Sequence, residues 1–240
     1  MTTWYEATVV KIEQATPTVR RFWLEIKGDE PFEFRAGQFV TFDLPIHERR
    51  QKRWRSYSIA NAPDGRRVLE FCIVRLEEGA GTSYLFNEIK PGSSLRFKGP
   101  DGAFYLPKNI ETDLVFICTG TGVAPFRSMI FDLKKSGQPH RNLHLIFGAR
   151  RESDILYRDE FEALAAQSID FQYDIALSRD ENWSGNRGHV HQIYLEKYAR
   201  PRPDVRFYLC GWSQMVDDAV ANLLVKMGFS REQIVFELYG

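Results

Sequence analysis

The chain has 240 residues, 43% of them hydrophobic and 27% charged, which is enough to bury one large core or two modest ones. Lys and Arg total 32 and so do Asp and Glu, so the chain as a whole advertises no polyanionic partner. No stretch approaches the length of a membrane span, and the N-terminus Met-Thr-Thr-Trp-Tyr-Glu lacks a signal-peptide pattern, so the expected compartment is the cytoplasm.

Residues 1–107 read as short strands broken by turns. Tyr5–Ile12, Val19–Ile26, Gln38–Asp43, Arg55–Ile59, Arg67–Val74 and Ser94–Phe97 carry alternating or β-branched content. Lys27-Gly28-Asp29, Ala62-Pro63-Asp64-Gly65, Pro91-Gly92 and Gly99-Pro100-Asp101-Gly102 separate them as turns. Six such strands predict a closed antiparallel β-barrel, which leaves no free edges. One helix interrupts it near Ser83–Ile89, with Thr82 or Ser83 as its cap.

Residues 108–240 follow a different pattern. Leu114–Cys118, Leu143–Phe147, Phe171–Leu177, Arg206–Cys210 and Ile234–Leu238 read as buried strands with helical segments between most of them. Phe126, Met129, Ile130 and Leu133 share one helical face, as do Val216, Val220, Leu223 and Met227. This alternation predicts an α/β domain with a doubly wound, five-stranded parallel sheet and right-handed crossovers. The boundary falls near Pro107-Lys108-Asn109, and the sequence contains no internal repeat.

Two motifs carry chemistry. Gly120-Thr121-Gly122-Val123-Ala124-Pro125 follows the strand Leu114–Cys118 and opens a helix. Glycines let the backbone approach a pyrophosphate, the helix N-terminus supplies free N–H groups, and Pro125 suits a first turn. A strand–helix turn with no ligand explains the same residues. The third glycine of the ordinary dinucleotide fingerprint is missing. Cys210-Gly211 ends the fourth parallel strand, where ligands of such sheets bind; a buried core cysteine is the competing reading.

In the first half, Arg55-Ser56-Tyr57-Ser58 lies on a strand. Arg55 suits a bidentate phosphate grip, Tyr57 shares its face and can lie against an aromatic ring, and Ser58 points to the other side, towards a ring nitrogen. Gly79-Ala80-Gly81-Thr82-Ser83 enters a helix and forms a second nest of N–H groups. Two phosphate grips and a stacking tyrosine suit a dinucleotide flavin better than a mononucleotide. An ordinary half-exposed strand is the alternative.

With these motifs in this order, nearly the whole chain resembles the ferredoxin–NADP reductase superfamily. Arg55, Tyr57 and Ser58 match its Arg-x-Tyr-Ser flavin motif, and Gly81, Thr82 and Ser83 look like its flavin pyrophosphate turn. Gly120 to Pro125 match its Gly-Thr-Gly-x-Ala-Pro, Cys210 and Gly211 its Cys-Gly pair, and Glu237-Leu238-Tyr239 its Glu-x-Tyr ending. The resemblance implies FAD as cofactor and hydride transfer between a nicotinamide and the flavin. It sets Ser58, Cys210 and Glu237 around the reacting atoms and Tyr239 over the flavin face. Gly240 follows Tyr239, whereas the plastid members end at the aromatic residue.

The resemblance also bears on coenzyme and partner. Ser178-Arg179 with Arg187 is similar to the arrangement of NADP-specific members, with Arg150 and Arg151 nearby. It implies NADPH, although NADH-using relatives carry a like stretch and NADH stays open. Solvated loop arginines are the other explanation. Cys72, Cys118 and Cys210 are too few for an iron–sulfur cluster, so electrons must leave to a separate partner. The basic run Arg49-Arg50-Gln51-Lys52-Arg53-Trp54-Arg55 suits an acidic electron carrier such as ferredoxin or flavodoxin, or is a solvated loop. No nucleic-acid module is recognisable. His189 and His191 lack the carboxylate or cysteine partners of a metal site and read as loop or helix-start residues. Two further functions compete: a reductase of free flavin or of a separate oxygenase, and a binding module that has lost turnover.

Overall fold

The computed structural model describes residues 3–239. The chain forms two compact units, one comprising the residues up to Leu106 with Ala124–Lys135, the other Pro107–Val123 with the residues from Ser136 on.

The first unit contains β1 (Trp4–Thr16), β2 (Val19–Ile26), β3 (Phe39–Asp43), β4 (Trp54–Ser58), β5 (Val68–Val74), α1 (Ala80–Asn87) and β6 (Ser94–Asp101). Helix α2 (Val123–Ser136) contributes all but its two end residues. The strands form one antiparallel sheet in the order β4-β3-β6-β1-β2-β5. Its two edges meet at a single seam, where Ile59 bridges Phe71 and the Ala60 N–H donates to the Glu70 carbonyl at 2.8 Å. Strand periodicity dictates the interior: Phe22, Leu24 and Ile26 alternate inward along β2 and meet Val40, Phe42, Leu69, Phe71 and Phe97. Leu85 and Phe86 of α1 pack on the same core.

The second unit holds β7 (Asp113–Thr119), β8 (Leu143–Ala149), α3 (Arg158–Gln167), β9 (Phe171–Leu177), β10 (Asn186–Arg187), α4 (Val190–Lys197), β11 (Val205–Trp212), α5 (Ser213–Ala221) and β12 (Ile234–Tyr239). Every pair is parallel, in the order β10-β9-β8-β7-β11-β12. Six consecutive residues of β7 are buried, as expected for a strand covered on both faces. The winding reverses at β7, whose neighbours β8 and β11 run on to opposite sides of the sheet. The carboxyl ends at this switch point form the crevice where open α/β sheets bind ligands. Among the described residues no helix is long and apolar enough to cross a membrane.

Two expectations require correction. The parallel sheet has six strands, because Asn186–Arg187 pairs with Ala176 and Leu177; two polar residues leave no hydrophobic pattern to read. Helix α1 begins at Ala80 rather than near Ser83, with Gly79 as its cap residue. Thr82 lies inside the helix, and its hydroxyl bonds to Leu76 N, Leu76 O and Gly79 O, pinning the preceding loop. Phe126, Met129 and Ile130 of α2 are at 0% exposure, so the shared helical face is buried as expected.

Candidate functional site

In the first unit the two phosphate grips of the sequence are neighbours. A Cβ added at Gly81 would stand 2.9 Å from Arg55 Cγ, so the arginine crosses directly over the start of α1. Its guanidinium is steadied by Nη1 donating to Trp54 O at 2.7 Å and Lys52 O at 3.1 Å. The first intrahelical bond of α1 is Ser83 N–H to Gly79 O, at 2.8 Å. The N–H groups of Ala80, Gly81 and Thr82 therefore precede the helical ladder, and no side chain caps them. A fixed cation beside uncapped helix donors has the chemistry of an anion site, so these residues fit a pyrophosphate. The Thr82 hydroxyl is engaged elsewhere, which leaves its backbone N–H as the group available there.

Register on β4 fixes the rest. Tyr57 pairs with Val40 and Ser58 with Phe39, so the two side chains point to opposite faces. Tyr57 packs tilted against Phe42, 5.7 Å between ring centroids, and burial pushes its phenol up to about 12. It is thus a neutral ring at working pH. Ser58 is 6% exposed.

In the second unit the candidate residues converge on the carboxyl ends of β7, β11 and β12. Cys118, Cys210 and Glu237 form a cross-strand row, and Trp212 pairs with Tyr239. Cys210 and Glu237 share a face with Trp212 and Tyr239, since successive residues of a strand alternate. The Cys210 thiol is buried and hydrogen-bonded to Tyr239; burial, then the Glu237 carboxylate, push its ionisation far up, so it is a neutral thiol. Gly240 lies outside the described residues.

Two glycines make close approaches here. A Cβ on Gly122 would sit 2.4 Å from the Cys210 carbonyl oxygen. Gly211 has φ +145°, and its Cβ would sit 2.6 Å from Thr119 Oγ1. Thr119 also faces Gly148 across β8, where a Cβ would come within 3.0 Å of its Cγ2. Its hydroxyl oxygen is buried without a hydrogen-bond partner. Gly120 turns at φ +53° with open space before it, and Pro125 lies in the first turn of α2. An orphaned hydroxyl beside an open glycine turn at the sheet switch point fits a dinucleotide. Sequence reading missed Thr119, whose isolation depends on its neighbours Gly148 and Gly211. It also missed Trp212, an indole 55% exposed at the strand end.

At the adjoining strand ends, Ser178 N–H donates to Ala149 O at 3.1 Å and Arg179 N–H to Arg150 O at 2.8 Å. Arg187 pairs with Leu177 and donates from Nε to Trp183 O at 2.8 Å. Ser178, Arg179, Arg150 and Arg187 therefore occupy three adjacent strand ends. His189 is the cap residue of α4 and its ring stacks on His191, 5.6 Å between centroids.

The basic run forms a short helical turn, Arg50–Arg53, leading into β4. Arg53 pairs with Asp43 at 2.8 Å. Arg50 lies 5.5 Å from the Trp4 ring and 5.8 Å from the Trp54 ring, Arg96 stands 4.6 Å over Trp4, and Lys98 4.0 Å over Trp54. The result is a cationic surface built on two tryptophans from strands distant in sequence.

Residues 6–105 match the oxidoreductase FAD-binding domain family, and residues 116–221 the oxidoreductase NAD-binding domain family. Ferredoxin–NADP reductase B of Sorangium cellulosum is 38% identical, over 98% of this chain and 97% of its own length. The phenol hydroxylase P5 protein of Acinetobacter pittii is 33% identical over 95% of this chain, which spans 64% of that relative. A crystal structure of a ferredoxin NADP+ reductase from Neisseria gonorrhoeae with bound FAD and NADP aligns with a TM-score of 0.82 at 26% identity, covering 98% of each chain.

Proposed function

Because the chain belongs to the ferredoxin–NADP reductase superfamily, we propose that it passes electrons between NADPH and a separate protein acceptor, a ferredoxin or flavodoxin, by way of FAD. Held by the site residues, FAD would supply two-electron chemistry towards the nicotinamide and release of electrons singly or in pairs. The observation that carries this reading is the convergence of Cys210, Glu237 and Tyr239 beside an orphaned Thr119 hydroxyl at the switch point.

Each residue then has a task of binding or orientation. Arg55 and the first-turn N–H groups of α1 grip the flavin pyrophosphate. Tyr57 flanks the ring as a neutral aromatic, and Ser58 hydrogen-bonds it from the opposite face of β4. Gly120, Thr121 and Gly122 let the coenzyme pyrophosphate approach the backbone. The neutral Cys210 thiol orients the nicotinamide by contact rather than by charge. Tyr239 covers the flavin face and gives way to the nicotinamide. Ser178, Arg179 and Arg187 select NADPH by neutralising its 2′-phosphate, so Arg179→Ala should weaken NADPH and leave NADH nearly unchanged.

The cationic plate of Arg50, Arg96 and Lys98 supports an acidic carrier as acceptor, met in the cytoplasm. A second reading, the reductase of a separate oxygenase, is favoured by the likeness to the phenol hydroxylase P5 protein. Steady-state assays with ferredoxin, flavodoxin, free FMN and an oxygenase component separate these. The proposal expects ferredoxin or flavodoxin to be preferred over free FMN, with kcat/KM falling as salt rises. Equal, salt-independent activity with free FMN would refute the carrier reading.

A further inference from the structure

We infer that Arg127 and Glu70 are positioning residues that relay coenzyme binding to the flavin-bearing strand; the inference rests on the functional reading above. The barrel is closed at one seam, where Ile59 bridges Phe71 and Ala60 N–H reaches Glu70 O. Ser58, the candidate flavin contact, lies immediately before that seam. Arg127, one turn into α2, spans it. Its Nη1 donates to Ala60 O at 2.9 Å on one lip and to the Glu70 carboxylate at 3.2 Å on the other. The next residue, Ser128, is fully buried and donates from Oγ to Asn61 O at 2.7 Å. Glu70 is 3% exposed and also accepts from Arg21 Nε at 2.7 Å, while its N–H donates to Asn61 Oδ1 at 2.8 Å.

A buried carboxylate shared by two arginines is an inefficient source of stability compared with apolar packing, and what it does supply is fixed geometry. Here that geometry joins Ala60 and Asn61 to a single helix. The same helix opens at Val123, directly after the Gly120–Gly122 turn. Phe126, Met129 and Ile130 are fully buried, so α2 shifts as a body rather than bending between its first turn and Arg127. A dinucleotide seated on the turn therefore biases the position of Arg127, and through it the segment Ser58–Asn61. Nothing in the flavin or coenzyme motifs requires this carboxylate, which neither grips a phosphate nor faces a strand end.

The test compares FAD-loaded wild type with R127M, in which Glu70 keeps Arg21 as a partner, and with R127K. Hydrogen–deuterium exchange of peptides spanning Ser58–Asn61 is followed with and without NADP+, and NADP+ affinity is measured by calorimetry. In the wild type NADP+ slows exchange of this segment about fivefold or more. In R127M that protection is lost although NADP+ affinity changes by less than about threefold, and R127K restores part of it. E70Q behaves as R127M, and the double variant is no worse than either single one, because both break one link. Protection that persists in R127M, or is absent from the wild type, overturns the relay. So does loss of FAD from both R127M and R127K, which would make the triad a clasp for the barrel alone. If NADP+ does not bind the wild type at all, the functional reading itself fails and takes the relay with it.

Discussion

Arg55 lies across Gly81, so close that a Cβ on the glycine would stand 2.9 Å from Arg55 Cγ and 3.2 Å from its Nε. Residues 26 positions apart thus meet at the start of α1, where the proposal seats the flavin pyrophosphate. Alanine is the better helix former by about 1 kcal/mol, so Gly81→Ala should not lower the melting temperature of the flavin-free protein. It should weaken FAD binding nonetheless, because the arginine must move. Arg55→Ala should weaken FAD further, by the roughly 1.5–3 kcal/mol of a charge-assisted contact. Fluorimetric titration of the flavin-free protein with FAD reads both, and unchanged affinity in Arg55→Ala would remove the phosphate role.

Cys210 gives a prediction about rate rather than affinity. Its thiol is held neutral by burial and by Glu237, so the proposed role is one of contact rather than charge. Cys210→Ala should slow limiting flavin reduction roughly 10- to 100-fold through misplacement of the ring, with a smaller change in coenzyme affinity. Stopped-flow reduction by NADPH separates the two. A pure binding defect would contradict the assignment.

Thr119 offers a test in which stability and affinity should move in opposite directions. Its buried hydroxyl lacks a partner, a situation that costs about 1–3 kcal/mol. Thr119→Val keeps the shape and removes that penalty, so the coenzyme-free protein should melt higher. If the hydroxyl serves the coenzyme, affinity for NADP+ should fall at the same time. A variant that is more stable and binds NADP+ normally would show that the hydroxyl has no ligand role.

Much of this was legible because motifs name their own chemistry. Strand–helix alternation announces the parallel sheet, and Arg55-x-Tyr57-Ser58 and the Gly120–Pro125 turn are the source of the phosphate and ring contacts proposed above. What stayed hidden depends on neighbours rather than on residues. Periodicity showed that Phe126, Met129 and Ile130 face a core, but not that Arg127 and Ser128 between them bond to Ala60, Glu70 and Asn61. Gly79-Ala80-Gly81 reads as the approach to a helix near Ser83, yet Ala80 and Gly81 are already helical, and the Thr82 hydroxyl pins the loop before them. Trp4, Arg96 and Lys98 join the basic run only through cross-strand register.

Acid should weaken the second unit through His144. Both ring nitrogens are engaged, with Tyr198 OH at 2.7 Å and Asp174 at 2.8 Å. Burial lowers the His144 pKa from its usual 6.5, outweighing the Asp174 bond that raises it. The unfolded chain therefore binds a proton near pH 6.5 before the folded one does. Stability should be full above that pH and decline as pH falls through it towards the lower folded value. The Asp174 carboxyl, held at about 2 against burial by His144 and Lys197, adds a loss only at stronger acid. Thermal melts from pH 7.5 to 5 should show the decline in the wild type and a flatter profile in His144→Gln. Equal slopes would assign the acid sensitivity elsewhere.

The central claim is that this chain holds FAD and reduces it with a nicotinamide coenzyme. An anaerobic titration of the purified, FAD-loaded protein with NADPH, followed at the flavin absorbance bands, tests it most directly. The account predicts bleaching with one NADPH per flavin, with NADH needed at higher concentration. A protein that binds no FAD, or whose flavin stays oxidised under excess NADPH and NADH alike, would contradict it.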